Sequence, residues 1–261
     1  MKILALNGSH RGDQGNTQWL LNKIAEGAME AGAEFEIVLL AGKKITPCAG
    51  CDACHTPERQ LRCIYDDKDD VKAIFDKMAG ADILIYASPV YVFGITGIMK
   101  TFLDRINSTA GSGELCLTKG GLLFHKINTN VYTKPFVVLT CCGNAEPETY
   151  KNVLAYFKTF SRFLDAPLVG TLVRTTVGFM EKTPESDKQR QLLEEVTKAY
   201  VQAGRELAVQ GRITTSTEKQ ANQNLLGIPF FDFLMNFTLF KKMALKNARK
   251  TSDVAGTITK S

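Results

Sequence analysis

Residues 2–25 read KILALNGSHRGDQGNTQWLLNKIA. Lys2 to Asn7 is a short apolar run that stops at a glycine, and from Asn16 onward Leu20, Ile24, Ala28 and Ala31 recur at helical spacing. The stretch predicts a strand, a loop and a helix in direct succession. The loop between them, GSHRGDQGNTQ at 8–18, has glycines that let backbone approach an anion, and Ser9, Asn16 and Thr17 can bond phosphate oxygens. Arg11 can add charge, and the helix start brings N–H groups and a favourable dipole. Taken alone it also reads as a capped glycine-rich turn. It has neither the GxGxxG of dinucleotide folds nor the GxxxxGK of nucleotide triphosphatases, which leaves a mononucleotide phosphate as the better ligand.

The same unit repeats outward. Glu34–Leu40 reads as a second strand, and Asp66 and Asp67 offer caps to a helix carrying Val71, Ile74, Phe75 and Met78 on one face. Strands follow at 81–87, 135–140 and 168–173, with helices from Met99, from Glu148 to Leu164, and from Ser186 to Gln210, where Gly211 ends the last. Apolar runs alternating with amphipathic helices predict an α/β protein. The expectation is a flavodoxin-like, doubly wound, five-stranded parallel sheet over residues 1–211, with a C-terminal helical extension over 212–261. Residues 108–134 form a long excursion before the fourth strand, of the length that functional loops or covers take.

The chain has 261 residues, 44% of them apolar and 23% charged, with seven cysteines. Its net charge of +5 is local, because KKMALKNARK at 241–250 holds five basic residues and no acid. Without a basic stripe interleaved with aromatics, nucleic-acid binding is excluded as an expectation. The N-terminus has no signal-peptide pattern, so the expected location is cytoplasmic.

In an open parallel sheet the ligand sits beyond the carboxyl ends of the strands where strand order reverses. Besides the first loop, that rule selects SPVYVFGITG at 88–97 and TCCGNAE at 140–146. The former suits a platform for a flat heterocycle, or an irregular strand end packed on the next helix. Cys141 and Cys142 are adjacent, too strained for an easy disulfide; Cys141 reads as a small buried filler, and Cys142 stays open. Residues 47–63, PCAGCDACHTPERQLRC, concentrate four cysteines as CxxCxxCx8C. In a reducing compartment that spacing suits a cubane iron–sulfur cluster, with zinc, a redox dithiol or a plain structural loop as alternatives. His55 reads as a surface residue.

Together GSHRGDQGNTQ, CAGCDAC, the Asp66–Asp67 pair and SPVYVFGITGIMKTFLDR resemble the NADPH-dependent FMN reductase family of flavodoxin-like proteins, and in particular its iron–sulfur flavoprotein branch. The resemblance runs in order over residues 1–210 and implies FMN. It implies Ser9, His10, Arg11, Asn16, Thr17 and Gln18 around the phosphate, and Pro89, Val90, Tyr91 and Val92 beside the ring. It further implies Cys142, Gly143 and Asn144 as candidate contacts in a loop that closes over the ring. His10 stands where the family often has proline. The branch has the same cysteine triplet, with the fourth cysteine usually a little closer, which implies Cys48, Cys51, Cys54 and Cys63 as ligands of a [4Fe-4S] cluster. The expected activity is an oxidoreductase or electron-transfer flavoprotein. It would move electrons from NAD(P)H or ferredoxin through FMN to a quinone, flavin or other small acceptor, with a non-catalytic flavin- or metal-binding regulator as the competing class. No catalytic acid–base set is expected.

The extension holds LLGIPFFDFLMNFTLF at 225–240, too short and too interrupted by Pro229 and Asp232 to span a membrane. As a helix it is apolar on both sides. It is expected to pack on its own domain, to reach over a second subunit of a homodimer or homotetramer, or to lie on a membrane surface; the dimer arm ranks first and membrane contact last.

Overall fold

The computed structural model describes residues 1–59, 62–127, 129–180, 186–228 and 230–246. In chain order the elements are β1 (Lys2–Asn7), α1 (Asn16–Glu30), β2 (Glu34–Leu39), α2 (Val71–Ala79), β3 (Ile83–Pro89), α3 (Gly97–Asp104), β4 (Ala110–Leu117), β5 (Leu123–Ile127), α4 (Thr129–Tyr132), β6 (Phe136–Cys141), α5 (Glu148–Leu164), β7 (Leu168–Arg174), α6 (Asp187–Gln210), α7 (Thr215–Asn222) and α8 (Phe231–Leu234). Five strands form one parallel sheet in the order β2-β1-β3-β6-β7. This is the flavodoxin-like doubly wound arrangement, and its direction reverses between β1 and β3. The excursion contributes a separate antiparallel hairpin, β4-β5.

Alternate side chains of each strand leave opposite faces of the sheet. Leu4, Leu6, Leu84, Tyr86, Phe136 and Val138 pack under α2, α3 and α5, whereas Ile3, Ala5, Ile85, Val137 and Leu139 pack under α1 and α6. On the first face Tyr86 meets Phe136, Phe157 and Phe160 with centroids 5.4–5.5 Å apart, each such pair adding about 0.5–1.5 kcal/mol beyond burial. On the second, α1 and α6 touch backbone to backbone. A Cβ on Gly27 would lie 1.8 Å from the Val201 carbonyl oxygen, and one on Gly204 would lie 1.9 Å from that of Ile24.

The helix at Val71 starts differently from the expectation. Asp69 Oδ1 accepts from Val71 N at 3.1 Å, while Asp66 turns back to accept from Cys63 N at 2.9 Å. An aspartate bonds the nearest unpaired N–H, and the tight turns between Cys63 and Asp69 bring Cys63 closer to Asp66.

Beyond Gly211, which ends α6 in the left-handed region at φ 71°, the chain stays on the sheet. Along the outer edge of β7, Ile213 N donates to Val169 O at 2.9 Å. Thr171 N donates to Glu218 Oε1 at 2.6 Å, Val173 N to Asn222 Oδ1 at 2.7 Å, and Asn222 Nδ2 to Thr171 O at 3.0 Å. Two side chains of α7 thus stand in for a missing neighbour strand. Arg174, fully buried, donates to the carbonyls of Ala221 and Gln223.

Glu206 anchors this turn. Its carboxylate accepts from Thr214 N at 2.7 Å, Thr217 Oγ1 at 2.7 Å, Thr214 Oγ1 at 3.1 Å and Gln202 Nε2 at 3.3 Å. Burial pushes the carboxyl up, but the donors outweigh it and hold the group below the usual carboxylate range. The lowered folded value means that its stabilisation is full above the unfolded pKa of about 4.3 and is lost as pH falls through the folded one. Glu206→Gln is expected to cost about 2 kcal/mol at pH 7 in urea unfolding. The gap to the unsubstituted protein should close below about pH 4, and a gap independent of pH would contradict the assignment.

The last described segment is not one continuous helix. Phe230 takes φ 53°, α8 runs only to Leu234, and residues 238–246 form a further helix. Asn236 Nδ2 donates to Phe233 O at 3.2 Å, a local bond that competes with helix propagation. Pro229, Arg249 and Lys250 lie outside the described residues. Among the described residues no helix is long and apolar enough to cross a membrane.

Candidate functional site

Three loops leave the carboxyl ends of β1, β3 and β6, and hydrogen bonds knit them together. Asn7, fully buried at the end of β1, accepts from Ser9 N through Oδ1 at 2.9 Å and donates through Nδ2 to Gln18 Oε1 at 2.9 Å. Gln18 in turn donates to Asn22 at 2.8 Å. Gln18 therefore braces the loop against α1, and Ser9 Oγ accepts from Arg11 N at 3.3 Å. Thr17 is buried with its hydroxyl 3.3 Å from Cys141 Sγ, tying α1 to the end of β6. Gly15 leads into α1, whose first turn has no acidic residue. Asn16, half-buried, opens the helix, and Arg11 and His10 lie on the outer side of the loop.

Thr96 joins the first loop to the second. Completely buried, it donates through Oγ1 to Gly8 O at 2.7 Å, caps α3 by accepting from Met99 N at 3.3 Å, and donates its own N–H to Ser88 Oγ at 3.0 Å. Sequence reading passed over this residue, although a threonine directly before Gly97 and an apolar helical run is an N-cap signal. Within the second loop, Val90 N donates to Cys141 O at 2.8 Å, and Tyr91 and Gly94 exchange backbone bonds at 3.0 and 3.1 Å. Between them Val92 and Phe93 are held at φ 47° and 63°. Left-handed backbone is costly for a β-branched or bulky residue and persists where the surroundings impose it, most often at functional sites. The tight turn projects Val92 at 92% exposure, Phe93 at 60% and Tyr91 at 42%. Tyr91 lies nearly parallel to His10, with centroids 6.1 Å apart.

In the third loop Cys142 is buried; its N–H donates to Arg174 O at 2.9 Å and its thiol to Asn144 O at 3.3 Å. Burial pushes the Cys141 thiol up to about 11 and raises that of Cys142 as well, so neither is a ready thiolate at neutral pH. Gly143 has open space where a Cβ would stand. Lys241 Nζ reaches Glu146 Oε2 at 2.5 Å, which brings the C-terminal segment beside this loop.

The four clustered cysteines are drawn together by the chain after β2. Cys48, Cys51, Cys54 and Cys63 line one small cavity with Tyr65 and Arg105. Cys54 is buried, Cys48 and Cys63 half-buried, and Cys51 exposed. Burial pushes the Cys54 thiol up, and negative charge on Cys63, Cys48 or Cys51 pushes it further. A bound cation would reverse that repulsion and keep the sulfurs deprotonated. Among the described residues no three His, Cys, Asp or Glu side chains converge closely enough for a single metal ion. A cubane spaces its thiolates more widely, because each sulfur binds a different iron. Four cysteines lining one cavity form a donor set that fits a cluster. Asp69 and Asp70 staple the loop down by accepting from Thr46 N and Lys44 N at 3.0 and 2.7 Å, and His55 Nε2 lies 3.0 Å from Asn107 O.

A parallel sheet in this order, a glycine-rich loop at the switch between β1 and β3, and a strained apolar turn at the adjacent strand end define a flavodoxin-like class of α/β protein. The sequence signature of NADPH-dependent FMN reductases matches residues 1–146, which hold all three loops and the cysteine stretch; the chain belongs to that family. It is 40% identical over 105 residues to an iron–sulfur flavoprotein of Archaeoglobus fulgidus, covering 40% of this chain and 48% of the relative. An iron–sulfur flavoprotein of Methanocaldococcus jannaschii is 38% identical over 106 residues, 40% of this chain and 51% of the relative. The chain thus spans about half the length of the curated relatives it matches. Among solved structures, an FMN-dependent NADH-azoreductase from Bacillus anthracis in complex with FMN superposes with a TM-score of 0.57 at 15% identity. That match covers 79% of this chain and 99% of the other, and it shows the fold alone.

Proposed function

We propose that the protein is an FMN-dependent oxidoreductase or electron-transfer flavoprotein, drawing electrons from NAD(P)H or ferredoxin and passing them to a quinone, flavin or other small acceptor. The observation that carries this reading is the exposed, left-handed Val92–Phe93 turn, fixed beside an acid-free helix start through Thr96. Ser9, Asn16 and the first amides of α1 would hold the phosphate, with Arg11 and His10 at its outer side. Pro89, Val90, Tyr91 and Val92 would orient the ring and exclude water from one face, and Cys142 and Gly143 would border the other end. Thr17 and Gln18 serve this site through the contacts that fix α1 and Asn7. When bound, FMN supplies a centre that exchanges electrons singly or in pairs. The proposal extends to a [4Fe-4S] cluster held by Cys48, Cys51, Cys54 and Cys63, which would supply one-electron transfer.

Exposed Phe230, Phe233, Phe237 and Leu239 in the C-terminal segment, next to the Glu146 contact, support the segment as a lid or an arm over a second copy in a cytoplasmic homodimer or homotetramer. Anaerobic mixing with NADPH, NADH and reduced ferredoxin, followed at the flavin absorption band, tests the function. Bleaching by at least one donor is expected; a flavin that none of them reduces would leave a non-catalytic binding protein. Iron and sulfide analysis of the same sample tests the cluster.

A further inference from the structure

Arg105 follows α3 directly, in the helix-end position where a cation normally faces water, yet it is only 1% exposed. One edge of its guanidinium is accounted for: Nη1 donates to Asp69 Oδ2 at 2.5 Å and to Thr46 O at 3.0 Å. The other edge is not. Nε and Nη2 are both buried without a hydrogen-bond partner among the described residues; Nη2 makes only a loose ion pair with Asp66 Oδ1 at 3.7 Å, and the guanidinium carbon lies 5.4 Å from the centre of the Tyr65 ring. A buried charged donor left unpaired is costly, and each such group calls for an explanation. Holding Asp69 requires one edge of the fork, and neither the Asp66 ion pair nor the face of Tyr65 gives the second edge a hydrogen bond. Arg105 lines the same cavity as the four cysteines, so sulfur-bound negative charge in that cavity would offer the second edge an acceptor.

We propose that Arg105 is a positioning residue for an iron–sulfur cluster on Cys48, Cys51, Cys54 and Cys63, its Nε and Nη2 donating hydrogen bonds to the cluster's sulfurs. This rests on the cluster reading given above. A cubane held by four thiolates is anionic, and the single electron that reduces it adds more negative charge. Donors and a fixed cation favour the reduced form and raise the potential. Asp66 opposes that effect through its own charge, and its bond to Cys63 N keeps it turned to the backbone.

The test uses the full FMN-loaded chain, reconstituted anaerobically with iron and sulfide and titrated against electrode potential with the reduced cluster read by electron paramagnetic resonance. Arg105→Lys keeps a cation for Asp69 and removes Nε and the planar fork. The variant is expected to retain FMN, iron and sulfide, while the ratio of reduced to oxidised cluster at the original midpoint falls about tenfold, equivalent to roughly 59 mV for one electron. An unchanged midpoint overturns the role of Arg105 and leaves the cluster standing. Unsubstituted protein that binds FMN but no iron or sulfide overturns the cluster reading, and this proposal with it. Should Arg105→Lys fail to fold, guanidino-15N arginine in an Arg59→Lys/Arg62→Lys background decides the matter. Nitrogen coupling to the reduced cluster supports the bond, and its absence refutes it.

Discussion

Asn16→Asp is expected to weaken FMN binding at least about a hundredfold while leaving the folded protein as stable as before. The two effects separate because the start of α1 acts on charge in opposite senses. An aspartate in the first turn favours the helix dipole by a few tenths of a kcal/mol, so apo-protein stability holds or rises slightly. Toward a phosphate the same carboxylate replaces an amide donor with like charge. Unit charges 4 Å apart interact by about 4 kcal/mol at an effective dielectric of 20. Even after solvent screening this exceeds the roughly 2.8 kcal/mol that a hundredfold change in Kd represents. Fluorescence titration of apo-protein with FMN measures the first effect and urea unfolding the second. Unchanged FMN affinity would move the phosphate elsewhere. Thr17 is a poorer place to ask the question, since its hydroxyl packs on Cys141 in the core.

Gly204→Ala should damage both stability and flavin binding from a position outside the three loops. The added Cβ would meet Ile24 O at 1.9 Å and Ala28 N at 2.8 Å, both backbone atoms of α1 that no rotamer change can move. Either α6 retreats or α1 shifts. Overpacking of this kind costs about 3 kcal/mol or more, a fall in Tm of roughly 10 °C for a chain of this size. Because Asn16 opens α1, a shift of the helix would misplace the amides proposed to hold the phosphate, and FMN retention should fall with Tm. Gly178→Ala, which would meet nothing within 4 Å, is the control and should be near neutral. A Gly204→Ala protein with normal melting would mean that the two helices are not in backbone contact.

What could be read from the sequence follows from how each element is stabilised. Strands such as ILIYASP at 83–89 are buried on both faces and therefore spell continuous apolar runs. α1, α2 and α5 bury one stripe and show it as 3.6-residue spacing. The hairpin β4-β5 was not legible as strands because AGSGELCL is glycine-rich and without apolar alternation. α7, TSTEKQAN, holds the β7 edge through Glu218 and Asn222, and polar bonds leave no trace in a hydrophobic pattern. At the site, the loops announced themselves through glycines, hydroxyls and cysteines. Their connecting bonds through Asn7 and Thr96 did not, because long-range pairing of a buried amide or hydroxyl has no local signature. Arg105 closes the SPVYVFGITGIMKTFLDR stretch, but its burial against Asp69 and the cysteine cavity has no local signature, and only the fold turns it inward.

The surrogate pairing along β7 bears on how this molecule can meet its own copies. A sheet whose last strand exposes its N–H and C=O groups can be continued by a strand from another chain, one of the cheapest routes to assembly and to aggregation. Here the Thr171 and Val173 amides and the Thr171 carbonyl are already spoken for within the chain. Any added strand on that side would first have to peel α7 away, together with Arg174's hold on Ala221 and Gln223. Were copies to associate, this edge would disfavour backbone pairing and leave side-chain surfaces, where the leucines of the hairpin and the phenylalanines of the C-terminal segment stand exposed.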